Sequence, residues 1–143
     1  MNAIITKRNF NVPVELLYKA FSQQAHIKNW WGPNGFTNTF YEFDFHDGGK
    51  WRFTMHGPDG KDYENEIEFE SIKENELIAV HHISKPEYRS SYKISAGDNN
   101  TSSILWEMVF IEEKAYDALK DIIPEKNEEN LNRLEKELNK LKP

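Results

Sequence analysis

The sequence predicts an α+β fold in which a curved antiparallel sheet of about six or seven strands wraps around a long C-terminal helix. Three observations support it. Aromatic and polar residues alternate through much of segment 36–111, the connections between these runs are short, and residues 113–141 are amphipathic at helical spacing. Because 143 residues suffice for one hydrophobic core, we expect a single domain, 1–143.

The N-terminal region predicts one strand and two short helices. Residues 3–10 are rich in apolar and β-branched side chains, which favour a strand, and Pro13 then suits the first turn of a helix. Four apolar residues after it recur at helical spacing: Leu16, Leu17, Ala20 and Phe21. A second short helix is expected over residues 25–31, before a cluster of turn residues at 32–35 ends regular structure.

The middle of the chain predicts the remaining strands. Between Lys50 and His56 the odd-numbered residues are apolar and the even-numbered ones polar, so one face must be buried. Between Tyr63 and Glu70 every even-numbered residue is glutamate, which predicts a solvated sheet face. Further strands are expected over residues 36–45, 77–83, 88–95 and 103–111.

The C-terminal segment, residues 113–141, is predicted to be helical because its apolar residues share one face. Pro124 removes an internal hydrogen bond, so we expect a kink or a break there. Asn127 and Asn130 fall near the apolar stripe, where a fully dry interface would favour leucine. Under a single interrupted helix, the aromatic side chains of the sheet can surround a cavity instead of filling the space.

Charge and composition exclude several functions. The net charge of −6 repels a phosphate backbone, so we expect no nucleic-acid binding. The absence of cysteine excludes disulfides and thiolate chemistry, and it suits a reducing cytoplasm, where we expect the protein. The sequence carries neither a signal-peptide pattern nor the roughly 20 apolar residues of a membrane helix, so no membrane insertion is expected. It also lacks metal and cofactor motifs, and we predict no metal and no cofactor.

Four stretches of the chain carry a resemblance to a known family. They are Trp30-Trp31-Gly32-Pro33 with Gly35-Phe36, Gly48-Gly49-Lys50-Trp51-Arg52-Phe53, Met55-His56-Gly57-Pro58-Asp59-Gly60, and Asn127-Glu128-Glu129-Asn130-Leu131. Together they resemble the activator of Hsp90 ATPase homologue 1-like proteins of the START-like (SRPBCC) superfamily, and they span nearly the whole chain. The resemblance implies a helix-grip fold with a pocket between the sheet and the long helix, and it implies much less about the ligand.

The residues predicted to bind a ligand in this pocket are large and mostly apolar. They lie on inward strand faces, on the C-terminal helix, or beside the Gly/Pro-rich turn, where two tryptophans could close the mouth. They are Trp30, Trp31, Tyr41, Phe43, Trp51, Phe53, Met55, Trp106, Met108, Phe110, Tyr116, Leu119, Ile123 and Asn127. For each residue taken alone, a place in the ordinary core is the simpler interpretation, and Asn127 could instead support the helix near Pro124.

Three functions remain open at this point. The first is binding of a small hydrophobic or amphipathic molecule, for sensing, storage or transport. The second is an enzyme like the polyketide cyclases and dehydratases among START-like relatives, with His56, His82 or Glu66 moving a proton. No spacing demands this chemistry, so no catalytic residue is predicted, and since His81 and His82 are adjacent in a strand, at most one can enter the pocket.

The third function is contact with Hsp90, which the family's name suggests. The Hsp90 co-chaperone that this chain resembles carries a further N-terminal domain. We expect 143 residues filled by one helix-grip fold to leave no room for it, so this alternative is not favoured.

Overall fold

The computed structural model describes residues 2–142 and contains seven strands and four helices. In chain order these are β1 (Ala3–Phe10), α1 (Val14–Ser22), α2 (Gln24–Trp30), β2 (Thr37–Phe43), β3 (Lys50–His56), β4 (Asp62–Lys73), β5 (Leu77–His82), β6 (Tyr88–Ala96), β7 (Ser102–Phe110), α3 (Glu113–Leu119) and α4 (Ile123–Leu141). The order of one strand, two short helices, six strands and a C-terminal helical segment is the predicted one.

The seven strands form one open sheet in the order β1-β7-β6-β5-β4-β3-β2, and every neighbouring pair is antiparallel. Five of the six pairings join strands that follow each other in the chain, as the short connections predicted. The exception brings β1 beside β7, so the sheet's two ends are β1 and β2. The predicted antiparallel α+β fold is thereby confirmed.

The inner face of the sheet is the apolar one, and the helices lie against it. In β7 every even-numbered residue from Ser102 to Phe110 is buried, while the odd-numbered residues between them are partly exposed. In β3, Trp51 and Phe53 are almost fully buried. The period of two along each strand therefore decides which side chains meet α1, α2 and α4.

The outer face carries the glutamate row of β4, paired with basic residues of neighbouring strands. Lys50 Nζ lies 3.7 Å from a Glu66 carboxylate oxygen and 3.5 Å from one of Glu68, and Arg89 Nε lies 3.2 Å from one of Glu70. Such partly exposed pairs contribute little to stability, about 0–1 kcal/mol each. This is the solvated face that the sequence predicted.

The C-terminal segment is two helices, α3 and α4, with a break at residues 120–122. Pro124 lies in the first turn of α4, where its missing N–H removes no intrahelical hydrogen bond. The predicted interruption is therefore a break ahead of the proline. No residue of α3 is fully buried, whereas α4 runs across the inner face of the sheet. Within residues 2–142, no helix has both the length and the apolar character needed to cross a bilayer.

Candidate functional site

A cavity of about 240 Å³ lies between the inner face of the sheet and the N-terminal half of α4. Its strand wall is made of aromatic and thioether side chains from β3, β4 and β7: Phe53, Met55, Ile67, Trp106, Met108 and Phe110. Since a water molecule occupies about 30 Å³ in the liquid, the space corresponds to about eight water molecules. A mostly apolar wall with a few polar groups is typical of small-molecule sites.

The helix wall of the cavity consists of Ile123, Lys126, Asn127 and Asn130, which share one face of α4. Asn127 Nδ2 donates to Thr6 Oγ1 at 3.3 Å and contacts Met108 Sδ at 3.5 Å. Asn130 Oδ1 accepts a hydrogen bond from the backbone N–H of Gly32 at 3.1 Å. Among residues 2–142 neither Asn127 Oδ1 nor Asn130 Nδ2 has a hydrogen-bond partner.

The loop wall of the cavity is the Trp31-Gly32-Pro33 segment after α2. Arg133 Nη1 donates to the carbonyl oxygens of all three residues, at 3.1, 2.8 and 3.0 Å, and Nη2 donates to two further carbonyls of the same turn. Burial lowers the pKa of Arg133, but a guanidinium is so basic that it stays charged at neutral pH. One charged side chain on α4 thus holds the loop in place.

Gly32 is the position in this loop where only glycine fits. Its φ is +98°, and a Cβ there would lie 2.8 Å from Met55 Cε. The loop backbone can therefore approach the Met55 side chain closely at the edge of the cavity. Substitution by any larger residue would displace either the loop or Met55.

The fourth wall is polar and comes from β4, β5 and β6. His82 Nδ1 lies 2.9 Å from the Pro86 carbonyl oxygen, and His82 Nε2 lies 2.6 Å from Asn65 Oδ1. Asn65 in turn donates from Nδ2 to the Tyr63 carbonyl at 3.0 Å, and the Tyr88 ring stacks on the imidazole with centroids 4.4 Å apart. Both ring nitrogens of His82 therefore face an acceptor oxygen, and because a neutral imidazole carries one N–H, it donates to one of these oxygens at a time.

Burial sets the protonation of this polar wall. His82 is only 3 % exposed, and desolvation lowers its pKa below the usual 6.5 against the opposing effect of the hydrogen bond to Pro86. Desolvation also raises the pKa of Tyr88, so its phenol keeps its proton. The Tyr88 hydroxyl has no hydrogen-bond partner among the described residues. At neutral pH the wall thus presents an uncharged imidazole and a phenol.

Of the fourteen residues predicted to bind a ligand, eight line the cavity. They are Trp31, Phe53, Met55, Trp106, Met108, Phe110, Ile123 and Asn127. The other six, Trp30, Tyr41, Phe43, Trp51, Tyr116 and Leu119, lie elsewhere. The predicted set thus contains most of the apolar wall together with neighbouring core and surface residues.

Three of the six belong to the packed core. The Trp30 indole donates from Nε1 to the Ala20 carbonyl at 3.0 Å, and it is 1 % exposed. Trp51 stacks on Phe53 with centroids 4.7 Å apart and has Phe69 parallel to it at 6.0 Å, while Phe43 packs edge-on against Trp51. These rings pack within the hydrophobic core and do not line the cavity beneath α4.

Tyr41 lies on the outer face because β2 contains a register shift between Phe40 and Glu42. The shift breaks the period of two that placed Tyr41 with Phe43 on the inner face. The Tyr41 side chain is 58 % exposed, and its hydroxyl lies 2.9 Å from Thr54 Oγ1. The inward placement of Tyr41 was therefore wrong.

Tyr116 and Leu119 belong to α3, and the break before Pro124 separates them from the face of α4 that covers the cavity. Both are partly exposed and pack against the rim of the core, with the Tyr116 ring 6.3 Å from that of Phe110. The prediction placed them on one continuous helix with Ile123. Only Ile123, which lies inside the first turn of α4, lines the cavity.

Several lining residues, mainly the polar ones, were not predicted from the sequence. Asn65 shares the inner face with Ile67 at the strand period of two, and Asn130 was noted only as an interruption of the leucine stripe. His82 was one of several proton-transfer candidates, and the alternation correctly allowed only one histidine of the pair inside. His81 points outward, with Nε2 2.7 Å from a Glu87 carboxylate oxygen.

The other polar candidates lie on the outer face or at its edge. His56 contacts Asp62 at 2.8 Å and Thr39 at 2.7 Å, and Glu66 pairs with Lys50. Across residues 2–142, no group of three or more His, Asp or Glu side chains is arranged to hold a metal ion.

Comparison with known proteins gives both a family and a fold. The model of the family described as activator of Hsp90 ATPase homolog 1-like protein matches residues 11–139. A solution structure of a protein from Arthrobacter aurescens is similar with a TM-score of 0.88 at 17% identity, covering 96% of this chain and 86% of that one. A crystal structure of a protein from Nitrosomonas europaea has a TM-score of 0.87 at 15% identity, covering 96% and 94%.

A solution structure of a protein from Staphylococcus epidermidis is also similar, with a TM-score of 0.85 at 20% identity, covering 99% of this chain and 92% of that one. At these identities the structural likeness shows the helix-grip fold alone. No curated protein matches the sequence of the chain.

Proposed function

The chain belongs to the activator of Hsp90 ATPase homolog 1-like family, and on that premise we propose that it binds a small hydrophobic or amphipathic molecule in the cavity beneath α4. The observation that carries this proposal is the composition of the wall. Apolar side chains make up most of it, and it includes Asn127 and Asn130, each of which has one amide group without a hydrogen-bond partner among the described residues. The lack of cysteine further favours a cytoplasmic location for this binding, as expected from the sequence.

An energy estimate shows why the polar groups matter. Burying about 300 Å² of apolar guest surface at about 25 cal/mol/Å² contributes ~7 kcal/mol. Association costs ~4 kcal/mol or more, which leaves ~3 kcal/mol and a dissociation constant in the millimolar range. Each hydrogen bond adds about 1 kcal/mol. Hydrogen bonds to Asn127 and Asn130 would therefore lower the dissociation constant below the millimolar range.

The test uses octanamide, an uncharged amphipathic probe of suitable size. We expect saturable binding by calorimetry with a dissociation constant below about 1 mM. Ile123→Trp, which fills the cavity from the helix wall, should weaken binding at least about ten-fold. Ile122→Trp is the matched control, because Ile122 is adjacent in sequence but 51 % exposed and does not line the cavity. Equal loss in both variants, or no binding to the unaltered chain, would refute the proposal.

A second candidate, proton-transfer catalysis, is favoured by the position of His82 in the cavity wall. Its two ring nitrogens already contact Pro86 and Asn65, so Asn65 must release Nε2 before the imidazole can act as a base. If the chain turns over a cyclisable polyketide, His82→Gln should abolish the rate while leaving octanamide affinity within about two-fold. Stimulation of the Hsp90 ATPase is the corresponding test of the chaperone alternative, which rests on the family name.

A further inference from the structure

The cavity wall differs from the rest of the chain in its charge. The sequence has 24 acidic and 18 basic residues, yet none of the described residues that line the cavity is an aspartate or a glutamate. Among the described residues that line the cavity, Lys126 carries the formal charge at neutral pH. A cationic guest would lose its hydration without meeting a counter-charge, so the wall selects against amines.

Hydrogen-bond donors outnumber acceptors among the groups left for a guest. The oxygen of the Asn130 amide is committed to the Gly32 N–H, which leaves Asn130 Nδ2 as a donor. The protonated Tyr88 hydroxyl and the Lys126 ammonium also donate, whereas Asn127 Oδ1 is the free amide acceptor on the helix wall. This balance complements a guest group that is rich in acceptor oxygens.

Two of these donors lie close together on α4. Lys126 and Asn130 are four residues apart on one helix face, which places their Cβ atoms roughly 5–6 Å from each other. Lys126 Nζ lies 3.7 Å from a Glu129 carboxylate oxygen, but the Lys126 side chain is half exposed and such a pair is weak. A guest oxyanion could therefore exchange with Glu129 and contact both donors.

We propose that the guest is a small monocarboxylate whose carboxylate contacts Lys126 Nζ and Asn130 Nδ2, while its apolar tail lies against Met55, Met108 and Phe110. This inference rests on the proposed binding function and names the chemical class of its ligand. The carboxylate stays at the exposed end of the cavity, where it keeps part of its hydration. The apolar tail lies at the buried end of the cavity, where the wall has no charged side chain.

The experiment compares three probes with the same straight chain: octanoate, octanamide and octylamine. We expect octanoate to bind at least about five-fold more tightly than octanamide, and octylamine to bind most weakly. If octanamide fails to bind, the proposed function itself fails. If octanamide binds but octanoate is not preferred, or octylamine is preferred, the binding function stands and the carboxylate inference is overturned.

Two variants assign the preference to the named donors. Lys126→Met should reduce the octanoate-to-octanamide affinity ratio to about one, whereas Lys136→Met, an exposed control on the same helix, should keep the ratio. Asn130→Asp keeps an acceptor for Gly32 but places a carboxylate in the wall, so octanoate should weaken at least about ten-fold. A preference for octanoate that survives Lys126→Met would overturn the assignment.

Discussion

The two halves of α4 cover the sheet in different ways. In the C-terminal half, Leu131, Leu134 and Leu138 are buried to 1 % exposure or less within the main hydrophobic core. In the N-terminal half, the corresponding stripe is Ile123, Asn127 and Asn130, and a cavity separates it from the strands. We call these regions the packed half and the hollow half. The stripe is leucine in the packed half and includes two asparagines in the hollow half.

The inner face of one sheet, rich in aromatic residues, borders both a packed core and a cavity. Leucine side chains fill space without directional requirements, and they allow the close packing of an ordinary interior. An asparagine in the same stripe needs hydrogen-bond partners, and it keeps polar groups pointing into the space beneath the helix. In the hollow half the described residues supply partners for one amide group each of Asn127 and Asn130.

The largest effect is expected from creating space in the packed half. Leu134→Ala removes a fully buried side chain and should lower the free energy of unfolding by about 3–5 kcal/mol. Leu119→Ala on α3 is the control, because that residue is partly exposed and should cost about 1 kcal/mol. Urea denaturation followed by tryptophan fluorescence measures both. Similar losses in the two variants would contradict the description of this half as close-packed.

A somewhat smaller effect is expected at the junction between the halves, where Arg133 holds the loop wall. Arg133→Lys keeps the charge but cannot donate to five carbonyl oxygens at once, so we expect a loss of about 2–3 kcal/mol. Lys136→Met should change stability by less than about 0.5 kcal/mol. If Arg133→Lys is as stable as the unaltered chain, the forked geometry has no role in holding the loop.

Filling the hollow half should have little effect on stability and a large effect on binding. Asn127→Leu removes a half-satisfied amide and adds apolar volume beside the cavity, so unfolding free energy should change by less than about 1 kcal/mol. The reverse change in the packed half, Leu138→Asn, should cost about 3 kcal/mol or more. Denaturation and octanamide titration of both variants separate the two halves. An equal loss of unfolding free energy in both variants would contradict the distinction between the packed half and the hollow half.

The smallest effect is a dependence of stability on pH. Because burial lowers the pKa of His82, the unfolded chain takes up a proton near pH 6.5 that the folded chain does not. The contribution of His82 is therefore fully present above pH 6.5 and decreases as the pH falls below it, by at most about 0.7 kcal/mol between pH 7 and 6.

The control for this pH effect is the neighbouring histidine on the opposite face. His82→Gln should flatten the decrease in unfolding free energy below pH 6.5, whereas His81→Gln, which alters a residue paired with Glu87 on the outer face, should leave the His82 contribution in place. Denaturant midpoints measured across pH 5–8 give the comparison. A decrease unchanged by His82→Gln would assign the effect to other groups.

The strands and most of the inner face were predictable from the sequence because their signals are local. Alternation over residues 50–56 identified β3 with its bounds, and the placement of Trp106, Met108 and Phe110 on one face followed from the same period. Tyr41 was misplaced because a register shift leaves no clear mark in a run of aromatic residues.

The division between core and cavity was less predictable, since it depends on contacts between distant segments. Trp51 and Met55 occupy equivalent positions on β3, yet Trp51 is enclosed by Trp31 and Phe69 whereas Met55 borders the cavity. The local signal for the cavity was the pair Asn127 and Asn130 in an otherwise leucine-rich stripe. The contacts of Asn65 with His82 and of Arg133 with the loop join residues far apart in the chain.

The most direct test of the hollow half is the position of a bound probe. With methyl-labelled methionine and leucine, octanamide should give intermolecular nuclear Overhauser effects to the Met55 and Met108 methyls and none to those of Leu131, Leu134 and Leu138. Effects to the three leucines, or none to the two methionines when the probe is saturating, would contradict a guest site beneath the N-terminal half of α4.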